Sequence, residues 1–273
     1  MEVVRYVIVD GAVEEELLEF LLKTNPPHCC LFSPPVQPEL VKLAPYLVVV
    51  TPEVEKWLHS KETPWGIYLF STDKIHIMVQ HFRRYLWVNI PEQSKPVLFR
   101  FYDPRNIWTF MDIITPEQQY EFLLNTEKII TDYQNTVEER TYTPQNNEST
   151  KNDTVSYFSF NSHQYNLLSL RAQDNYINKL EKSIIQFLIS STPDIDTKKA
   201  DTAIIAKNSY LFCKSYEIDD DNSIRIITCL FAKLNIISSH DIPGSWIKKL
   251  TDTSTPGYYR AESLILEELG YLP

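Results

Sequence analysis

Residues 95–105, K-P-V-L-F-R-F-Y-D-P-R, show a two-residue hydrophobic period that ends abruptly, which predicts a strand running into a helix. One predicted face of this strand carries Val97, Phe99 and Phe101, and the other carries Leu98, Arg100 and Tyr102. Pro104 suits the first turn of a helix over 106–111, and Asp103 suits its N-cap. We expect this strand to be central to the fold and the rest of the chain to be organised around it.

Arg100, Asp103 and Arg105 are predicted to meet where this strand becomes a helix. Arginine pairs with carboxylates through two parallel hydrogen bonds, so an internal ion cluster that fixes the corner is one interpretation. The other is a site for a partner's carboxylate, or for an anion at the helix N-terminus. Since structural ion pairs are common, the internal cluster is the favoured interpretation, above all for Arg100 and Asp103.

The first half of the chain alternates between strand and helix patterns. Strands are predicted at 2–9, 29–32, 43–50, 65–71, 86–90 and 97–102, and helices at 13–23, 52–61, 73–85, 106–111 and 115–125. Such alternation indicates an α/β (α+β) lobe with a mixed sheet and helices packed on it. The strands at 86–90 and 97–102 are close enough in sequence to form an antiparallel hairpin.

The composition changes over residues 134–154, which are rich in Asn, Thr and Glu and have almost nothing to bury. This stretch is predicted to be a linker or mobile loop. Helical patterns follow at 164–190, 197–216, 223–234, 245–249 and 259–269. The predicted organisation is therefore an α/β domain over 1–133, a linker over 134–154 and an all-α lobe over 155–273.

The overall composition is that of a soluble protein with a real core. Of its 273 residues 43% are hydrophobic, and the net charge is −10, which disfavours binding to nucleic acid or anionic lipid. No apolar run approaches membrane-spanning length, and the N-terminus has a strand pattern where a secretory signal would have a basic and then an apolar region. The four cysteines are expected to be free thiols, so we expect a cytoplasmic protein.

Signatures of catalysis and cofactor binding are missing from the sequence. Its five glycines cannot form a dinucleotide-binding loop, a P-loop or a nucleophile elbow. Its six histidines do not occur at zinc-binding spacings, so we expect neither a metal nor a cofactor. A hydrolase that uses His81, Asp103 and Arg100 is an alternative, although no nucleophile stands out.

Five stretches occur in an order that is typical of one family. They are V-D-G-A at 9–12, A-P-Y-L at 44–47, W-G at 65–66 with Ser71, H-F-R-R at 81–84 and F-R-F-Y-D-P-R at 99–105. Together they resemble the signature of bacterial type VI secretion effector chaperones, also called Tap-type adaptors, a family long described as a domain of unknown function. The resemblance covers roughly residues 5–130, and the helical half resembles the family only in pattern.

The resemblance implies a function without catalysis. Such an adaptor holds a cognate toxic effector in the cytoplasm and loads it onto the VgrG spike protein. Its candidate partner-binding or structural residues here are Arg83, Arg84, Arg100, Tyr102, Asp103 and Arg105. A toxin-binding immunity protein is a further alternative.

Overall fold

The computed structural model describes residues 2–143, 157–191 and 201–270. Its strands are β1 Val4–Asp10, β2 His28–Cys30, β3 Pro45–Val49, β4 Gly66–Ser71, β5 Trp87–Asn89, β6 Val97–Leu98, β7 Thr126–Tyr133, β8 Thr136–Thr141 and β9 Phe158–Ser159. Its α-helices are α1 Leu17–Thr24, α2 Pro38–Val41, α3 Pro52–Leu58, α4 Ile75–Leu86, α5 Ile107–Ile113, α6 Pro116–Leu123, α7 Ser162–Ser191, α8 Thr202–Ser215, α9 Asp221–Lys233, α10 Gly244–Leu250 and α11 Gly257–Leu269. The predicted fold class is confirmed, with an α/β region followed by an all-helical region.

The chain divides into two compact units, Met1–Ser169 and Leu170–Pro273, and the division falls within α7. The predicted start of a helix at 197–200 lies outside the described residues, as does the part of the predicted linker over 144–154. None of the helices among the described residues is both long and apolar enough to cross a membrane.

The first unit contains a six-stranded sheet in the order β2-β3-β1-β4-β7-β8, and every pairing in it is antiparallel. Strand β1 lies inside this sheet, and its last five residues, Tyr6–Asp10, are all buried because both faces of the strand are covered. Tyr6 and Ile8 face a core formed with α4, α5 and α6. Val7 and Val9 face a second core formed with α1 and α3.

A smaller sheet in the order β6-β5-β9 accompanies the first, and it is mixed, with β5 antiparallel to β6 and parallel to β9. The predicted hairpin is therefore confirmed, but the predicted strand over 97–102 is not the centre of the fold. Only Val97 and Leu98 pair as a strand, and the chain then turns through 101–105. The aromatic side chains after the strand explain this: Phe101 and Tyr102 are both buried, so the two-residue alternation of faces stops there.

Strand β8 lies inside the stretch that we expected to be a linker. The structure corrects that expectation for residues 136–141, which pair with β7 from Tyr133↔Thr136 to Lys128↔Thr141. The two turn residues, Gln134 and Asn135, have φ of 55° and 58°, the left-handed geometry that a two-residue hairpin turn requires. The polar composition of residues 136–141 is therefore that of an exposed edge strand in a hairpin, and not that of a linker.

The second unit is built by α8 to α11 and the C-terminal part of α7 around one apolar cluster. The helix predicted over 164–190 is confirmed as α7, and its residues Leu180, Ile184 and Leu188 are buried in that cluster. Arg260 is also buried, and it donates hydrogen bonds to the carbonyls of Asp252 and Tyr216, which ties two loops to α11.

Candidate functional site

Arg100 pairs with Asp10, ninety positions earlier in the chain, at the end of β1. Asp10 is only 1% exposed, whereas the Arg100 side chain is 33% exposed. Burial raises the pKa of the Asp10 carboxyl, and the adjacent Arg100 guanidinium opposes that rise. The Asp10 carboxylate also accepts a hydrogen bond of 2.9 Å from the Ala12 N–H, so it holds the turn after β1 as well as the arginine.

Asp103 is buried and binds Arg105 rather than Arg100. Its Oδ1 atom accepts hydrogen bonds from the backbone N–H of Arg105 at 2.9 Å and from Arg105 Nε at 2.8 Å. The prediction that Asp103 caps the following helix was wrong, because α5 begins at Ile107 and its N-cap is Asn106. The Asp103 carboxylate binds Arg105 in place of the helix N-terminus, because Arg105, two residues later, donates from both its backbone N–H and its guanidinium.

These four residues and Tyr102 form one cluster, which we call the carboxylate–arginine cluster. The charge of Asp103 acts on Asp10, and the charge of Asp10 acts on Arg105, so the two ion pairs are close in space. Burial raises the pKa of the Tyr102 hydroxyl, which also lies near Asp10. The cluster therefore contains two acidic and two basic side chains, arranged as two ion pairs.

Backbone contacts bring further signature motifs to the same end of β1. The Asp10 N–H donates to the Trp65 carbonyl at 2.8 Å, and the Gly11 N–H donates to the Ala44 carbonyl at 3.1 Å. A Cβ atom on Gly66 would lie 1.8 Å from the Ile8 carbonyl oxygen, and one on Gly11 would lie 2.5 Å from that of Ala44. Both glycines are thus required by close approach of the backbone. Four motifs that are far apart in sequence meet at this one place.

Arg83 holds the loop that follows β2. Its guanidinium donates to three successive carbonyls, those of Cys30 at 2.9 Å, Leu31 at 3.3 Å and Phe32 at 3.4 Å. The planar fork of arginine donors suits this task, which lysine could not perform. Arg83 therefore contacts the chain itself, although from the sequence we considered contact with a partner.

Arg84, the next residue, is exposed, and its guanidinium makes no hydrogen bond or salt bridge with any residue that the structure describes. It lines an open pocket of about 330 Å³ in the first unit. The other lining residues come from α4, α6 and the segment around β9: Tyr85, Gln118, Glu121, Tyr157, Phe158 and Ser159. Of the four candidate arginines, Arg84 is the one whose guanidinium has no hydrogen bond or salt bridge with another described residue, although the Arg105 side chain is also 46% exposed.

His81 is buried among aromatic rings, and its Nε2 atom donates to the Phe122 carbonyl at 2.7 Å. Burial lowers the pKa of the imidazole to about 4, so it is neutral at physiological pH. The contacts of the described residues join His81 to Phe122 and Asp103 to Arg105, and they do not join His81 to Asp103. The three residues of the hydrolase alternative are therefore held by separate partners.

No group of three or more potential metal ligands occurs within the described ranges. The residue that sequence reasoning missed is Asp10, the partner of Arg100. A signal for it was available, because Asp10 directly follows the apolar run Tyr6–Val9, and a carboxylate buried at the end of such a run needs a cation or several N–H groups.

Comparison with known proteins gives one result for the first unit. No curated protein and no solved structure matches the chain. Residues 5–121, which begin in β1 and end in α6, match the family model of a domain of unknown function, DUF4123.

Proposed function

We propose that this protein is an adaptor of a type VI secretion system, which binds a cognate toxic effector and loads it onto the VgrG spike. The support is the match of residues 5–121 to the DUF4123 family, together with the motifs through which the chain resembles Tap-type adaptors. The adaptor would act in the cytoplasm of the producing cell, before secretion.

The observation that carries this proposal is the convergence of separate motifs at the end of β1. Short motifs can match a family by chance, and chance matches have no reason to contact one another in the fold. Here the first motif is bonded to the second and third through backbone N–H groups and to the fifth through Arg100. The motifs therefore behave as parts of one structural element, as expected of a true family signature.

We further propose that the adaptor works without catalysis. The carboxylate of Asp103 and the imidazole of His81, the residues best suited to acid–base chemistry, are both committed to internal hydrogen bonds. A protein that holds and transfers a partner requires complementary surfaces and no activated group.

The test is co-expression of this protein with the products of the neighbouring effector and spike genes. We expect the effector to gain soluble yield and to co-purify with this protein, and the spike to join the complex. An immunity protein would instead bind the effector alone and neutralise its toxicity, so toxicity is measured in the same cells. Failure to capture the effector would contradict the proposal. So would enzyme-like turnover of ester, peptide or glycan substrates that Asp103→Ala abolishes.

A further inference from the structure

The outer face of the small sheet carries a row of exposed apolar side chains. Trp87 is 42% exposed, Leu98 43% and Tyr157 44%. Trp87 lies opposite Leu98 in the register of β5 and β6. Since Val88 pairs with Phe158 in the parallel β5–β9 register, Tyr157 lies beside Trp87 on the other side. The side chains of Trp87 on β5, Leu98 on β6 and Tyr157, the residue just before β9, thus continue one row, while Val88 on the opposite face of β5 is buried.

Arg84 lies at one end of this row, because it shares the open pocket with Tyr157 and Ser159. We call Arg84, Trp87, Leu98 and Tyr157 the Trp87 face. The Arg84 guanidinium is unpaired among the described residues, so a carboxylate of another protein would complement its charge. Glu121 also lines the pocket, and the incoming carboxylate therefore has to lie nearer to Arg84 than to Glu121.

The residue types of this face are those that dominate binding energy at protein interfaces. Trp, Tyr and Arg are the residues most enriched at interface hot spots, and contiguous exposed apolar side chains mark interaction surfaces. Neighbouring strands lie about 4.8 Å apart, close to the rise of about 5.4 Å per helical turn. A helix that crosses the three strands can therefore place one apolar side chain from each successive turn beside the row.

We propose that the Trp87 face holds an amphipathic helix of the effector, with a carboxylate of that helix paired to Arg84. This inference rests on the proposed adaptor function and names the surface that carries it. We commit to the effector over the spike because Tyr157, which completes the apolar row, lies outside the matched residues 5–121, whereas the other three residues of the face lie within them. A surface built partly from residues outside the common domain suits a partner that is particular to this chain.

The test is capture of the effector and, separately, of the VgrG spike by the full-length chain carrying Trp87→Ser or Arg84→Glu. Two exposed positions elsewhere give matched controls, Leu22→Ser on α1 and Arg171→Glu on α7. Arg84→Glu alters an exposed side chain and should keep the Tm of the wild type. Trp87→Ser also removes packing, because more than half of Trp87 is buried, so its binding is measured well below its own Tm. Each face variant should weaken effector binding by about tenfold or more, as hot-spot substitutions do, while spike binding and the two controls stay unchanged.

The outcomes separate this inference from the proposed function. Effector binding that is equal in the wild type and both face variants would overturn the inference and leave the adaptor function standing. Loss of spike binding alone, or a dimer that the face variants dissociate without affecting the effector, would assign the face to a different occupant and overturn the inference too. A wild-type chain that captures no effector would overturn both proposals.

Discussion

Arg100 and Arg84 belong to the same set of signature motifs, yet their surroundings are opposite. Arg100 pairs with a carboxylate that is 1% exposed, inside a cluster of two ion pairs. Arg84 is exposed at the edge of an apolar row and pairs with no described residue. The comparison teaches that one set of motifs can mix side chains held inside the fold with side chains left exposed, and that only the structure separates them.

The largest expected effect is that of Gly66→Ala, which tests whether the end of β1 tolerates any change. The new Cβ atom would meet the Ile8 carbonyl at 1.8 Å, and Gly66 has φ of 155°, so the backbone of two paired strands must move. We expect a loss of at least about 3 kcal/mol in the free energy of unfolding, measured in urea, because backbone strain of this kind belongs to the severe class.

Gly244→Ala is the matched control for that variant. A Cβ atom on Gly244 meets no atom within 4 Å, so the same substitution at this position should change the stability by less than about 0.5 kcal/mol. Equal stability of the two variants would show that the close approach of β1 and β4 is not a constraint on the fold.

The second prediction uses pH and the buried imidazole that lies three residues before Arg84. The pKa of His81 is about 4 in the folded protein and about 6.5 when unfolded, so between these values the unfolded chain binds a proton that the folded chain does not. The contribution of neutral His81 to the free energy of unfolding is fully present above pH 6.5 and is lost as the pH falls to 4. It amounts to about 3 kcal/mol.

His81→Gln provides the reference, because glutamine retains an N–H donor for the Phe122 carbonyl and does not titrate. Urea unfolding from pH 7 to pH 4 should show a smaller loss of stability in this variant than in the wild type. Other titrating groups, including Asp10, are present in both proteins and cancel in the difference. Parallel pH profiles would mean that His81 is not held neutral in the fold.

A smaller effect is expected from Asp103→Ala, which removes the acceptor for the backbone and guanidinium of Arg105. We expect a loss of roughly 1–3 kcal/mol, since buried donors lose their partner while Arg105 itself can turn to solvent. Asp103→Asn keeps an oxygen for the backbone N–H and should lose less. Melting curves decide the matter, and an unchanged Tm for Asp103→Ala would contradict the structural role of this carboxylate.

Local sequence patterns were sufficient for most helices and for the strands before residue 90. The helices predicted over 164–190 and 115–125 depend on local patterns, and the structure contains them as α7 and α6. Within residues 100–105 the sequence also indicated an internal ion cluster, but the carboxylate of that segment, Asp103, binds Arg105, and Arg100 binds Asp10.

The sequence could not give contacts that depend on the path of the whole chain. Asp10 and Arg100 are ninety positions apart, and no local pattern pairs them. Arg83 and Arg84 are neighbours of the same type, and only the direction of each side chain on α4 decides which one holds the loop after β2. The hairpin of β7 and β8 was missed because its exposed strand has the composition of a linker.

The central claim is that the carboxylate–arginine cluster supports the fold while Arg84 serves contact with a partner. Its most direct test compares the free energy of unfolding of Arg100→Ala with that of Arg84→Ala. Because Arg100→Ala leaves a buried carboxylate unpaired, we predict a loss of about 2–4 kcal/mol, below the value for a fully buried pair since Arg100 is a third exposed. Arg84→Ala should stay within about 0.5 kcal/mol of the wild type. Equal losses, or a larger loss for Arg84→Ala, would contradict the claim.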